Sequence, residues 1–216
     1  QRVSFNGVVT GEGDLTINAN SIGIAADITT SGNQTYNSYV ELIDTPGNDP
    51  ITLEGLFGDL YEGIAGNGQD LVLNFSDGVS LGGYPNPGSA TGISDIANLT
   101  VNSASELYVG GTISTTGDQT YDVSQILVES PYGPYDTNFI ANGSIAVSGD
   151  IVPLNDGLAN VTFDSPAVGV AGNLGVVDLN NFENSTIFRN LNTTNRTTLT
   201  LSQAAGNVAA YDMAFE

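Results

Sequence analysis

Apolar and polar residues alternate along this chain in short runs, with the period of two that puts successive side chains on opposite faces of a strand. Leu15 and Ile17 alternate with Thr16 and Asn18, Leu99 and Val101 with Thr100 and Asn102, and Leu199 and Leu201 with Thr200 and Ser202. Runs rich in Val, Ile, Leu, Thr, Tyr and Phe predict strands at Val3–Val8, Leu15–Asn18, Ile22–Ile28, Thr35–Ile43, Leu71–Phe75, Val79–Leu81, Leu99–Asn102, Leu107–Ile113, Thr120–Val128, Ile145–Val147, Val161–Phe163, Val176–Leu179 and Leu199–Leu201. Gly, Asn, Asp and Pro separate them. The best helical stretch is around Leu56–Ile64, and Gly55, Gly58 and Gly63 weaken it. The pattern predicts an all-β chain of short, closely spaced strands.

Two segments repeat. Leu15-Thr-Ile-Asn is followed by Ile28-Thr-Thr-Ser-Gly-Asn-Gln-Thr-Tyr-Asn37; Leu99-Thr-Val-Asn is followed by Ile113-Ser-Thr-Thr-Gly-Asp-Gln-Thr-Tyr-Asp122. The offsets are 84 and 85 residues, and a weaker echo starts at Leu199. Such a unit is too long for a hairpin and suits about four stacked coils of roughly 20 residues. The expectation is a single β-solenoid domain over 1–216, a right-handed parallel β-helix of about two and a half units (15–98, 99–198 and partial 199–216) with protruding loops at Tyr84–Gly92 and Pro131–Pro134. The alternative is a β-sandwich or jelly roll with strand exchange between subunits. Within each copy, Gly32-Asn33 and Gly117-Asp118 read as turn pairs tolerating left-handed backbone. Tyr36 and Tyr121 read as members of an aromatic stack along the coil.

Composition narrows the function. The chain has 24 acidic and 3 basic residues, a formal net charge of -21, and no His or Cys. Imidazole and thiolate metal sites, a Cys nucleophile, a His base and disulfides are thereby excluded. Nucleic acid and anionic lipid are disfavoured as partners. No apolar run is long enough to insert across a membrane as a helix. The apolar fraction of 40% is sufficient for a packed core. Residue 1 is Gln and no charged-then-apolar leader is visible, so the expectation is a processed chain or a segment of a longer one.

The blocks Leu99-Thr-Val-Asn and Val109-Gly-Gly-Thr-Ile-Ser-Thr-Thr-Gly-Asp-Gln-Thr-Tyr-Asp122 resemble repeats of filamentous-haemagglutinin-like secreted bacterial exoproteins, best over 15–42 and 99–128. That resemblance implies a right-handed parallel β-helix in an extracellular, repetitive adhesin or filament at the cell surface.

Eight Asn-x-Ser/Thr sequons, at Asn33, Asn74, Asn98, Asn142, Asn160, Asn184, Asn192 and Asn195, are about twice the number expected by chance and make glycosylation a candidate modification. Asp14 in Gly11-Glu-Gly-Asp and Asp70 in Gly66-Asn-Gly-Gln-Asp resemble isolated pieces of a calcium-binding nonapeptide; they are weak candidates for Ca2+ or another cation. Paired carboxylates for glycoside cleavage are conceivable, but no catalytic residue stands out and no cofactor is called for. Tyr132 and Tyr135 are candidates for stacking on glycans. Arg2 near one terminus, and Arg189 and Arg196 near the other, sit where acidic subunits meeting end to end would need cations. Val208, Tyr211 and Phe215 lie in an apolar tail suited to strand addition. The expected function is therefore a secreted, non-enzymatic structural protein whose partner is itself, joined head to tail in an extracellular filament or sheath. The alternatives are a fragment of a large surface adhesin binding glycans or matrix, and a polysaccharide-acting enzyme.

Overall fold

The computed structural model describes residues 1–44, 49–60, 62–81, 92–128, 136–154, 159–174, 188–194, 197–201 and 210–215. These form strands and connecting turns, with no helix. The chain winds around a column. Its first turn is β1 (Arg2–Phe5), β2 (Val9–Gly11) and β3 (Leu15–Ile17); its second is β4 (Ser21–Ile24), β5 (Ile28–Thr30) and β6 (Gln34–Tyr36). Then come β7 (Val40–Leu42) and β8 (Ile51–Leu60), β9 (Ile64–Ala65) and β10 (Leu71–Leu81), β11 (Ile93–Ile96) and β12 (Leu99–Val109), and β13 (Thr112–Thr115) and β14 (Gln119–Val128). The column continues with β15 (Asp136–Ala141), β16 (Ser144–Val147), β17 (Asp150–Pro153), β18 (Asn160–Asp164), β19 (Ala167–Val170), β20 (Phe188–Thr193), β21 (Thr198–Leu201) and β22 (Ala210–Phe215).

Pairings between these strands are parallel and link each turn to the next. One face is a 10-stranded sheet in the order β1-β4-β7-β9-β11-β13-β15-β18-β20-β22. The other 12 strands form a second sheet that divides into two columns. The first halves of β8, β10, β12 and β14 continue the column of β2 and β5 toward β16, β19 and β21; their second halves continue that of β3 and β6 toward β17. The ladders shift register between the halves, at Phe75/Gly78 and at Ser103/Glu106. The result is a three-faced parallel β-solenoid. The sandwich and jelly-roll alternative is overturned, because those folds require antiparallel pairing within each sheet.

Like stacks on like inside the column. On the first face the register runs Ile22, Val40, Ile64, Ile93, Ile113, Phe139, Phe163, each 3% exposed or less. On the second face Leu53, Leu73, Val101, Tyr121, Val147 and Val170 align. A one-residue slip would turn such a column outward, so burial fixes the register without any hairpin. Each of these aliphatic side chains contributes about 1.5–3 kcal/mol by leaving water.

Three local expectations are corrected. Leu56–Ile64 is not helical: Leu56–Leu60 ends β8 and Ile64 opens β9. Gly58 is there because the buried Phe75 ring occupies the space a side chain would need. The runs Ile22–Ile28, Thr35–Ile43 and Leu107–Ile113 are each split by a corner between faces. At the first of these the Ala25 N–H turns back to the Phe5 carbonyl, 2.8 Å away. Conversely, Leu71–Phe75 and Val79–Leu81 join in a single strand. The loops expected within Tyr84–Gly92 and Pro131–Pro134, with Tyr132 and Tyr135, fall outside the described residues apart from Gly92. Val176–Leu179 falls outside them too.

Candidate functional site

The repeated sequence builds a corner. In both copies the Leu-Thr-Ile/Val block lies directly beneath Gln-Thr-Tyr of the next turn: Leu15 pairs with Gln34 and Ile17 with Tyr36, Leu99 with Gln119 and Val101 with Tyr121. The Gln34 side-chain amide donates to the Ile28 carbonyl (3.2 Å), Thr30 Oγ1 (3.2 Å) and the Glu54 carbonyl (2.7 Å), and accepts from the Tyr36 hydroxyl (2.7 Å). Gln119 repeats every contact, to the Ile113 carbonyl (3.3 Å), Thr115 Oγ1 (3.3 Å) and the Ile140 carbonyl (2.7 Å), with Tyr121 donating at 3.0 Å. Both glutamines are fully buried, so satisfying their amides is a condition of folding. Burial also pushes both tyrosine hydroxyls well above their ordinary pKa. The copies occupy different corners, between the second and third faces in the first and between the first and second in the other. The spacing of about 85 residues is thus not a whole number of turns.

The expected aromatic stack takes a different course. Tyr121 meets Phe139 edge-on at 5.8 Å, and Phe139 stacks on Phe163 at 5.4 Å. Tyr36, on another face, is outside it.

Outside each of the two corners, Asp and Asn oxygens form a ladder between successive turns. Asp14 accepts the Asn33 N–H (2.8 Å); Asp70 accepts the Asn98 N–H (3.0 Å) and side-chain amide (2.9 Å). Asn98 in turn accepts the Asp118 N–H (2.8 Å), and Asp118 the Ser144 N–H and hydroxyl (2.6 and 2.9 Å). The two bonds from Ser144 hold the Asp118 carboxyl below its usual range. Gly32 belongs to the first of these ladders and Gly117 to the second. Neither they nor Asn33 and Asp118 have the left-handed backbone expected of them. A methyl at Gly32 would fall on Asp14 Oδ1, and one at Gly117 on Asn98 Oδ1. Close approach between turns is what requires glycine there.

Asp14 and Asp70, the cation candidates, therefore lie on separate turns, each accepting a backbone N–H. Among the described residues no three acidic side chains converge on a point. A shallow hollow of about 440 Å³ lies on the second face between Thr120 and Asp122 on one side and Gly169 and Ala171 on the other. Asp122 is its one carboxylate, hydrogen-bonded by Ser148 at 2.9 Å, so the hollow lacks the paired acids of a glycosidase. The sequence held no signal for it, since residues of three successive strands, β14, β16 and β19, and the turns after them define it only once stacked.

The remaining candidates are scattered. Asn33, Asn98 and Asn142 are exposed; Asn74, Asn160 and Asn192 are partly covered. The Asn98 and Asn160 amides are engaged by Asp70 and Asp136, and Asn74 accepts from Asn102. Asn184, Asn195, Arg196 and Val208 fall outside the described residues. Arg189 lies in β20, and Tyr211 and Phe215 in β22. Arg2 has an internal partner: its guanidinium passes over Gly23 to Glu41, two turns on, at 2.8 Å.

The surface with the clearest unmet bonding capacity is the first turn. Among the described residues β1 pairs only with β4, β2 with β5 and β3 with β6, leaving the outer edge of each unpaired. Val3, Phe5, Val9 and Leu15 pack on the core from one side and are only partly buried, and Val8 is 70% exposed. This end offers three parallel strand edges around an apolar centre.

No protein-family model, curated protein or solved structure matches the chain.

Proposed function

We propose that this chain is a secreted structural protein whose copies stack head to tail into an extracellular filament or sheath. The observation that carries this reading is the first turn. Its unpaired N–H and C=O groups and its half-covered Val3, Phe5, Val9 and Leu15 are what a further parallel turn would satisfy and bury. The edge of β22, at the other end of the 10-stranded sheet, is the complementary surface, because a parallel ladder is continued by simple translation. The absence of Lys, which removes most trypsin-type cleavage sites, suits a durable outer fibre. The resemblance to filamentous-haemagglutinin-like repeats points to the same setting.

The test is electron microscopy and sedimentation of the purified 216-residue chain beside Val3→Asp and Leu15→Asp variants. The expected result is fibres from the parent and folded monomers from both variants. A parent chain that stays monomeric at high concentration, or variants that polymerise equally well, would refute it. Glycan binding by such a monomer would favour the adhesin reading.

A further inference from the structure

The chain holds three Asn-Gly pairs, Asn6-Gly7, Asn67-Gly68 and Asn142-Gly143. This dipeptide is prone to deamidation because glycine leaves its own nitrogen unhindered. The reaction needs that nitrogen to be free and the Asn side chain to swing onto it. Two of the pairs are held against it. The Gly143 N–H donates to the Gly117 carbonyl of the preceding turn at 3.0 Å. The Gly68 N–H donates to Asp95 O at 2.6 Å, and the Asn67 amide is tied to the Leu42 carbonyl at 2.7 Å, with Asn67 fixed at φ 51°. Asn6-Gly7 differs. It forms the corner between β1 and β2 in the first turn, and both residues are exposed. Neither the Gly7 N–H nor the Asn6 amide has a partner among the described residues, and a Cβ at Gly7 would meet nothing within 4 Å.

We propose that Asn6 is the chain's site of spontaneous deamidation, selected by the solenoid because every other Asn-Gly nitrogen is bonded between turns. The Gly7 nitrogen, losing its proton to solvent, attacks Asn6 Cγ and ammonia leaves, giving a cyclic succinimide. Water then opens either carbonyl, yielding aspartate or isoaspartate. The net change is one amide and one water converted to a carboxylate and ammonium. The chain gains one negative charge, and in the isoaspartyl product an extra backbone carbon, at the partly exposed first turn. The inference does not depend on filament formation.

The test incubates the folded chain at mildly alkaline pH, digests it with pepsin in acid, and follows the three peptides by mass spectrometry with isoaspartate detection. Asn6 is expected to react about five- to tenfold faster than Asn67 or Asn142, the factor set by the one or more hydrogen bonds the latter must first break. In denaturant the three rates should converge, and Gly7→Ala should suppress the reaction without disturbing the fold. Equal rates in the folded chain would overturn the proposal. So would an Asn6 preference that persists unchanged in denaturant, which would trace it to local sequence rather than structure.

Discussion

Replacing Gln119 by Leu removes a side chain of similar volume and, with it, a buried junction. The lost donor leaves the Ile140 carbonyl without its 2.7 Å partner, and the lost acceptor leaves the Tyr121 hydroxyl, 1% exposed, with no oxygen to donate to. The orphaned hydroxyl costs about 1–3 kcal/mol, and the lost bond to the half-buried Ile140 carbonyl, which stays in the β13–β15 ladder, about 0.5–1.5 kcal/mol, so Gln119→Leu should destabilise by about 2–4 kcal/mol. The longer contacts to Ile113 and Thr115, both 3.3 Å, add little. Tyr121→Phe removes the stranded hydroxyl. The double variant should therefore be about 1–3 kcal/mol more stable than the two single effects predict by addition. The assay is urea unfolding followed by circular dichroism, with hydrogen exchange locating the loss near Ile113, Gln119 and Ile140, since a stacked column need not unfold in one step. Gln34→Leu should give the same result at the other corner. A change below about 0.5 kcal/mol for Gln119→Leu, or strict additivity in the cycle, would refute the view that this network is a buried, mutually dependent unit.

Three further outcomes are expected. Gly117→Ala should cost about 1–3 kcal/mol in the same unfolding assay, because the methyl collides with Asn98 Oδ1 and the Ala97 carbonyl, whereas Gly169→Ala, which meets nothing within 4 Å, should stay within about 0.5 kcal/mol. The folded Asp118 carboxyl titrates below its unfolded value, so its stabilising effect is complete above the unfolded pKa and is lost as pH falls through the folded one. Ser144→Ala should raise that folded pKa in an NMR titration, and an unmoved value would refute the hydrogen-bond cause. With a net charge of -21 and one described ion pair, Arg2–Glu41, the melting temperature should rise by a few degrees as salt is raised from low ionic strength to about 0.15 M, each kcal/mol being about 2–4 °C at this size. A fall in melting temperature would show that attractive pairs outweigh the repulsion.

The parallel stack was legible in the chain because strand alternation and the repeated Gln-Thr-Tyr block are local signals. Strand content was read at Leu15–Ile17, Leu99–Val101 and Ile145–Val147, where an apolar alternation is bounded by turn residues. Leu56–Ile64, the nearest the chain comes to a helical period, is strand at both ends, and its glycines, which weaken a helix, answer to packing instead. The true cause of Gly58, the ring of Phe75 on the following turn, is not adjacent in sequence. Corners such as Ala25 and Asn37-Ser38 were invisible for the same reason: the groups that turn the backbone belong to the preceding turn. Of the candidate residues, Asp14 and Asp70 carried a positional signal, and the structure sets both against backbone N–H groups of the next turn.

The amino-acid sequence by itself determined an all-β, strongly acidic chain without imidazole or thiol chemistry, and a repeat built to stack, since those follow from side-chain type and period two. Only the tertiary structure decided which corner each copy forms, why Gly32 and Gly117 are glycines, and which edges and Asn-Gly nitrogens remain unpaired. These depend on which residues lie one turn below, some 20 to 30 positions away, and that register is fixed by burial of the whole column rather than by any local pattern.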